Sequence, residues 1–282
     1  MSGATLLRRQ RGFTLVEAIV VIVITGIIGA IVAVFLRWPV QNYIDTSQRA
    51  ELSDIADTAV RRMAREVRLA IPNSIRVSAD GSALEFVPSK TGGRYLAAED
   101  GAAGEHLDFV DGTDLVFQIV GPVPSGRQRI VAGDFIVVNN IGQAPGDVYA
   151  SGNQQNRATV ESVSSTGLVK MVSNPYALQN PVLAHPLHRF RVANEPVSFR
   201  CAGGTLWRYA NYGFQALQAS DPSGAGRLKA MLATNVESCF FQYSTLENVG
   251  SGLLSLTLTL RNSSGNDAPI RLTQQVHVDN TP

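Results

Sequence analysis

Cysteine and charge are the two scarcities of this chain. There are two cysteines in 282 residues, Cys201 and Cys239, far apart and in no C-x-x-C pair. That spacing argues against two thiolates on a structural zinc ion. Charged residues make up 17% of the chain, the formal net charge is +1, and no long basic tract follows the first eleven residues. Nucleic-acid binding by bulk charge therefore has no support. Catalytic signatures are missing as well: there is no G-x-S-x-G, no P-loop and no H-E-x-x-H. Serines are frequent, but nothing marks one as a nucleophile. His185-Pro-Leu-His188 has the look of a metal pair, yet Pro186 prevents a helical ligand face and no third ligand is evident. Asp108, Asp111 and Asp114 lie in Asp-Phe-Val-Asp-Gly-Thr-Asp, whose spacing is not that of an EF-hand, and an acidic turn is the simpler reading beside a calcium loop. The composition points to no enzyme and to no cofactor.

What the chain does have is one long apolar run, Phe13 to Leu36, preceded by the basic cluster Arg8, Arg9, Arg11 and by Gly12. As a helix the run is roughly 36 Å long, enough to cross a hydrocarbon core of about 30 Å with some tilt. The basic flank comes first, so the positive-inside rule puts Met1 in the cytoplasm and the bulk of the chain outside. Glu17 is the one ionisable residue in the run. A carboxylate facing lipid costs roughly 2–3 kcal/mol, less near a helix end, and no Lys, Arg or His in the run can pair with it. It either snorkels or stays protonated, or its partner comes from another chain.

Arg11-Gly-Phe-Thr-Leu-Val-Glu17-Ala-Ile-Val-Val-Ile-Val-Ile-Thr-Gly-Ile-Ile-Gly29 resembles the class III signal of type IV pilins and type II secretion pseudopilins. The resemblance implies cleavage between Gly12 and Phe13 by a membrane prepilin peptidase, followed by N-methylation of Phe13. It also implies that Glu17 pairs with the terminal ammonium of a neighbouring subunit, the cation the run itself lacks. Residues 1–12 are then a cleaved leader and 13–36 a transmembrane and assembly helix. Two other readings compete. A secretory signal peptide has a shorter core and an A-x-A-like exit, faintly present at Ala30-Ile-Val-Ala33, but Glu17 is misplaced for it. A plain signal anchor needs neither Gly12-Phe13 nor Glu17.

Downstream, one helix is expected from Phe13 to about Ala70, with a kink or break at Pro39. Residues 37–72 form its amphipathic half. Val40, Tyr43, Ile44, Ser47, Leu52, Ile55, Ala59, Val60, Met63, Val67 and Ile71 share a face, and Asp57–Arg61 and Arg62–Glu66 are i,i+4 ion pairs. Trp38 reads as an interfacial anchor. Pro72-Asn73 ends the helix.

Residues 73–282 read as a β-rich head, enlarged at about 101–185. Strands are expected at Ser74–Ser78 and Leu84–Val87 around an Asp80-Gly81 turn, and at Leu115–Val120, Asp134–Asn139, Thr159–Val163 and Leu168–Val172. Thr91 to Glu105, Gly142 to Arg157 and Pro175 to Pro186 read as loops, the second of them exposed. Further strands are expected at Arg189–Val192, Val197–Cys201, Leu206–Tyr212, Val236–Tyr243, Leu253–Leu260 and Ile270–Val278. Leu254, Leu256, Leu258 and Leu260 alternate with Ser and Thr, the pattern of a half-buried strand. The fold class is α+β: a long N-terminal helix packed on a mainly antiparallel sheet, pilin-like. Outside the cytoplasm disulfides persist, so one Cys201–Cys239 bridge is the simplest outcome for the cysteines. Trp207 and Tyr209 share a strand face, more simply core or sheet surface than a sugar platform.

The C-terminal part adds a finer resemblance. Val236–Tyr243, Leu253–Arg261 and Ile270–Asn280 look like the closing strands of large minor pilins and of J-type pseudopilins. His188–Val192, Val197–Cys201 and Gly203–Tyr209, with Asn139–Gly142 and Asn156–Ala158, are similar to MshO-type minor pilins of mannose-sensitive haemagglutinin (MSHA) pili. The resemblance implies a non-enzymatic minor pilin that primes or caps a type IV pilus. It would be held in the inner membrane with its head in the periplasm before joining a surface pilus. The implied partners are the prepilin peptidase, other minor pilins, the major pilin and the inner-membrane assembly platform. The alternatives are a type II secretion J-type pseudopilin and an adhesin displayed at a pilus tip.

Overall fold

The structure, a computed structural model, describes residues 12–219, 221–246, 250–262 and 268–282, without the side chains of residues 36–42, 153 and 246. A single helix, α1, spans Leu15–Val67. The chain divides into two compact units within it, Met1–Glu51 and Leu52–Pro282. The helix is unbroken at residue 39, so the expected break at Pro39 does not occur. Tyr43 and Ile44 are exposed, whereas burial begins at Leu52. From there Leu52, Ala56, Ala59, Val60, Met63, Ala64 and Val67 fall on one 3.6-period stripe, and all are buried. Three of the seven are alanines, which lets the helix backbone approach the sheets closely. Asp57–Arg61 and Arg62–Glu66 pair on the outer faces at 2.6 and 3.1 Å. Such surface pairs are screened by solvent and contribute little to stability. The helix closes with tighter bonds, Leu69 N–H to Glu66 C=O and Ala70 N–H to Val67 C=O, before Pro72 and the left-handed Asn73.

The stripe packs on two antiparallel sheets. One contains β1 (Arg76–Val77), β2 (Ala83–Phe86), β9 (Val197–Ala202), β10 (Thr205–Ala210) and β11 (Leu228–Ala233), in the order β1-β2-β9-β10-β11. The other contains β12 (Val236–Leu246), β13 (Ser251–Leu260) and β14 (Ile270–Asp279) in sequence order. Phe86, Phe199, Leu206 and Phe241 meet the helix stripe, and so do the four fully buried leucines of β13. A 2.8 Å bond from Phe241 N–H to Gly81 C=O joins the β1–β2 turn to β12. Gly81 has φ +70°, and a Cβ there would lie 2.5 Å from the Phe240 ring, so both its conformation and its space require glycine.

Between β2 and β9 the chain makes an excursion. β3 (Ser89–Tyr95), β4 (Val116–Val120), β5 (Phe135–Val137), β6 (Arg157–Val163), β7 (Leu168–Met171) and β8 (Arg189–Ala193) close into a barrel in the order β3-β4-β7-β6-β5-β8. Its interior is filled by side chains: Phe117 and Phe190 meet edge to face at 5.5 Å, and the Tyr176 hydroxyl donates to Ile136 C=O at 2.8 Å. A six-stranded barrel has room for little else. β2 and β9 remain adjacent, with Phe86 opposite Val197, so the barrel is mounted on what would otherwise be a hairpin.

Three sequence expectations fail here. The segment from Thr91 is not loop at its start, because β3 runs to Tyr95. Gly92 and Gly93 sit in that strand because a Cβ on the first would lie 2.9 Å from Phe190 C=O, and on the second 2.8 Å from the Phe190 ring. Residues 142–157 are not an exposed loop: Val148, Tyr149 and Asn156 are buried. Val148 and Tyr149 join Ile71, Val87, Val137 and Ala193 in a third apolar cluster between helix end and barrel. β11 was not expected at all. Leu-Lys-Ala-Met-Leu-Ala lacks β-branched and aromatic residues, and pairing with β10 rather than propensity makes it a strand.

The joint between barrel and sheets is polar. Asn73 Nδ2 donates to Asn140 C=O and Asn280 C=O, Asn140 Nδ2 to Pro72 C=O, and Asn156 Nδ2 to Asn140 Oδ1. Nearby, buried Glu85 pairs with Arg76 and accepts from the Tyr212 hydroxyl at 2.7 Å. Burial, then the Glu85 charge, pushes the Tyr212 phenol far above its ordinary pKa. The phenol therefore stays a donor to the carboxylate.

Cys201 on β9 and Cys239 on β12 form a disulfide with Cα atoms 6.1 Å apart, clamping the two sheets together. Replacing both cysteines by serine should lower head stability by about 2–4 kcal/mol in the loop-closure picture. Urea denaturation of wild type and variant checks it. An unchanged midpoint, or free thiols at both positions in non-reducing peptide maps of the wild type from an oxidising compartment, would refute the clamp.

Candidate functional site

Gly12 and Phe13 precede the helix and are exposed, Phe13 at 78%. A Cβ on Gly12 would meet nothing within 4 Å, so the structure offers no packing reason for glycine there. Thr14 is the N-cap of α1: its Oγ1 accepts from Glu17 N–H at 3.3 Å, and its carbonyl accepts from Ala18 N–H. This places Glu17 in the first helical turn, where a carboxylate is favoured by the helix dipole. Thr14-x-x-Glu17 has the spacing of a capping box, a pattern that the apolar residues around it mask in the sequence.

Beyond it the surface is apolar all round. Leu15–Phe35 has mean hydropathy 3.0 and none of it is buried within the chain. Thr25, the one hydroxyl in this stretch, donates to Val21 C=O one turn back, so it leaves no unsatisfied donor. Gly26 and Gly29 leave one region of small surface a turn apart. The arrangement does two things: it leaves the Gly12–Phe13 bond exposed, and it offers an apolar cylinder with one carboxylate near its start. The basic cluster Arg8, Arg9 and Arg11 and the side chain of Trp38 lie outside the described residues.

The remaining sequence candidates are not brought together. Asp108 accepts from Val110 and Asp111 N–H, Asp111 from Thr113 N–H and Oγ1, and Asp114 from Val116 N–H. Each carboxylate is turned onto its own backbone, and Asn174 Nδ2 gathers the carbonyls of all three. The Thr113 bonds hold Asp111 below the usual carboxylate range. His185 is buried, accepts from Leu187 N–H and contacts Pro282 C=O at 2.6 Å, whereas His188 pairs with Glu99 at 2.8 Å. No group of three or more His, Cys, Asp or Glu among the described residues is arranged to hold a metal ion. Tyr209 is buried, and the Trp207 face is taken by the Lys229 ammonium 4.0 Å from its ring centroid. That arrangement leaves no open aromatic platform on this pair.

Comparison with known families gives one match. Residues 7–33 fit the model described as the prokaryotic N-terminal methylation motif. No curated protein and no solved structure matches the chain.

The uncovered apolar run should hold the full chain in membranes. Ile24→Arg, near its middle, should weaken insertion by about 3 kcal/mol, more than a hundredfold. A membrane-insertion assay with wild type alongside checks this, and equal insertion of the two would count against a spanning role.

Proposed function

We propose that this chain, which carries an N-terminal methylation motif at residues 7–33, is a minor pilin of the type IV pilin and type II secretion pseudopilin superfamily. In this reading it is a structural subunit that primes assembly of an MSHA-type pilus or forms part of its tip. The observation that carries the reading is the N-terminal segment itself: an uncovered Gly12–Phe13 bond, a capped helix start, Glu17 in the first turn, and a bare apolar helix behind it. A prepilin peptidase would cut after Gly12 and N-methylate Phe13, leaving residues 1–12 as a discarded leader. The mature chain would wait in the inner membrane with its head in the periplasm. The apolar helix would then exchange lipid for the helices of partner subunits.

The chemistry of Glu17 fits that exchange. In the first turn of a membrane helix a carboxylate near the interface is affordable; deeper in a protein assembly it must be paired. The ammonium on Phe13 of an adjoining subunit would supply the charge. The larger head supports a specialised subunit, because the barrel adds surface without altering the helix that assembles. A J-type pseudopilin serving secretion has the same helix, and gene neighbourhood separates the two.

Two experiments test this reading. Gly12→Phe should block processing and leave the full-length chain in the membrane, while mass spectrometry of the wild type should find an N-methylated Phe13. An intact Met1 terminus in assembled material would sink the processing step. Glu17→Val should insert into the membrane as well as wild type or better, since an apolar side chain is cheaper in lipid by roughly 2–3 kcal/mol. Incorporation should suffer because the pairing that sets register is lost. Normal surface piliation and unchanged crosslinks to partner subunits, in a strain with no wild-type copy, would remove Glu17 from the mechanism.

A further inference from the structure

Most cations of the head are spoken for. Arg76, Lys90, Arg94, Lys170, Arg208 and Arg227 have carboxylate partners, Arg157 donates to carbonyls, and Lys229 lies on Trp207. Arg68, Arg189 and Arg191 are exposed, and their side chains have no hydrogen bond or ion pair among the described residues. These three line neighbouring depressions that share Arg191: Arg68 lines one of 380 Å³, Arg189 lines two of 200 and 350 Å³, and Arg191 lines all three. Arg189 and Arg191 alternate with buried Phe190 and Val192 on β8, so both guanidinium-bearing side chains leave the barrel on its outer face. Like charges two residues apart on one face repel, and among the described residues neither arginine has an ion-pair partner.

The floor is shaped for access. Gly92 lies opposite Arg191 in the β3–β8 ladder, and a Cβ there would sit 3.5 Å from Arg191 Cδ. With no side chain at Gly92, the floor beside the arginine stem is bare backbone. The walls carry Ser89, Thr91, Gln128, Asn139 and Thr281, neutral hydrogen-bonding groups. Asp279 is the one carboxylate on the lining, and its Oδ1 already accepts from Thr281 N–H.

We infer that this groove binds a carboxylate-bearing saccharide, an acidic glycan held by Arg68, Arg189 and Arg191. Guanidinium forks match carboxylates bidentately, and amide and hydroxyl walls match sugar hydroxyls. Nucleic acid fits worse, because no exposed aromatic lines the groove for base stacking and Phe190 is buried. An acidic peptide fits worse, because a peptide partner draws on apolar anchor pockets: apolar lining dominates only in the cavity beside Asn139, and the one along Arg68 is mainly polar. The site is independent of the assembly reading above, since it lies on the barrel and helix end and uses no residue of the N-terminal segment.

The test uses the full chain in non-ionic detergent, with polygalacturonate as probe and neutral dextran, polyglutamate and duplex DNA as comparators. Polygalacturonate should bind and dextran should not, and binding should weaken with added salt. R189A/R191A should lower affinity at least tenfold and R68A several-fold. R271A, at the exposed start of β14 and on none of the groove's walls, should change nothing. Thermal unfolding of each variant reports whether it folds, and R68A, off the barrel strands, keeps the test open if the double variant does not. Absence of polygalacturonate binding, equal binding by the folded R189A/R191A chain, or tighter binding of polyglutamate or DNA would each overturn the assignment.

Discussion

From Leu15 to Phe35 the helix has no covered face, and this constraint governs the rest of the chain. In water such a cylinder would be unstable against any apolar surface, since exposed apolar area costs on the order of 25 cal/mol per Å². A helix is one of the few shapes that can enter lipid, because every backbone group between its ends is bonded internally. Thr14 caps the start, Thr25 bonds back to its own turn, and Glu17 is confined to the first turn. Each polar group in the segment is placed where its burial costs least. The head must therefore build its core from residues outside this stretch, and it begins to do so at Leu52 without any interruption of helical backbone.

The head solves a second problem, how to enlarge a small fold without disturbing the surface that packs on the helix. The barrel leaves and returns between two strands that stay paired, β2 and β9. The apolar cluster under the helix stripe contains none of the barrel's strands, and the barrel has an aromatic core of its own. An insertion of this kind adds few constraints to the host sheet, because its ends are already adjacent and little closure entropy is involved. The disulfide then ties β9, the strand to which the chain returns, to β12 of the other sheet.

The sequence made the helix, its two-part character and most strands legible, because each rests on periodicity. The Leu254–Leu260 alternation is a period of two, and the Leu52–Val67 stripe is a period of 3.6. What escaped was set by partners rather than by pattern. Gly92-Gly93 looks like loop until Phe190 is seen to need the space. β11 has the composition of a helix and becomes a strand because β10 offers it an edge. The division into two sheets and a closed barrel depends on which strands pair, and alternation within a strand does not encode its neighbours. At the N-terminus Gly12, Phe13 and Glu17, the residues of the proposed processing and assembly steps, stood out by chemistry. Thr14 did not, because a capping threonine beside an apolar run looks like part of the run.

The polar joint explains how the barrel keeps a fixed orientation on its host. An apolar interface is non-directional and tolerates sliding; amide hydrogen bonds have fixed lengths and angles. Asn73 follows the helix, Asn140 and Asn156 belong to barrel segments, and Asn280 follows β14, so one network joins the helix end, the barrel and the three-stranded sheet. Tyr149 adds a hydroxyl bond to Ser74 C=O at 2.9 Å, and Arg76 stacks on its ring at 3.7 Å while holding Gln215 and Ala216 carbonyls. Apart from Asn156 Oδ1, which is buried without a partner among the described residues, these amides are hydrogen-bonded to one another or to backbone carbonyls, and a rotation of the barrel would strand more of them. Asn139–Gly142 and Asn156–Ala158, segments that carried part of the finer sequence resemblance, sit in or beside this network. What those residues determine is the mounting of the barrel, and through it the direction in which the arginines of β8 face.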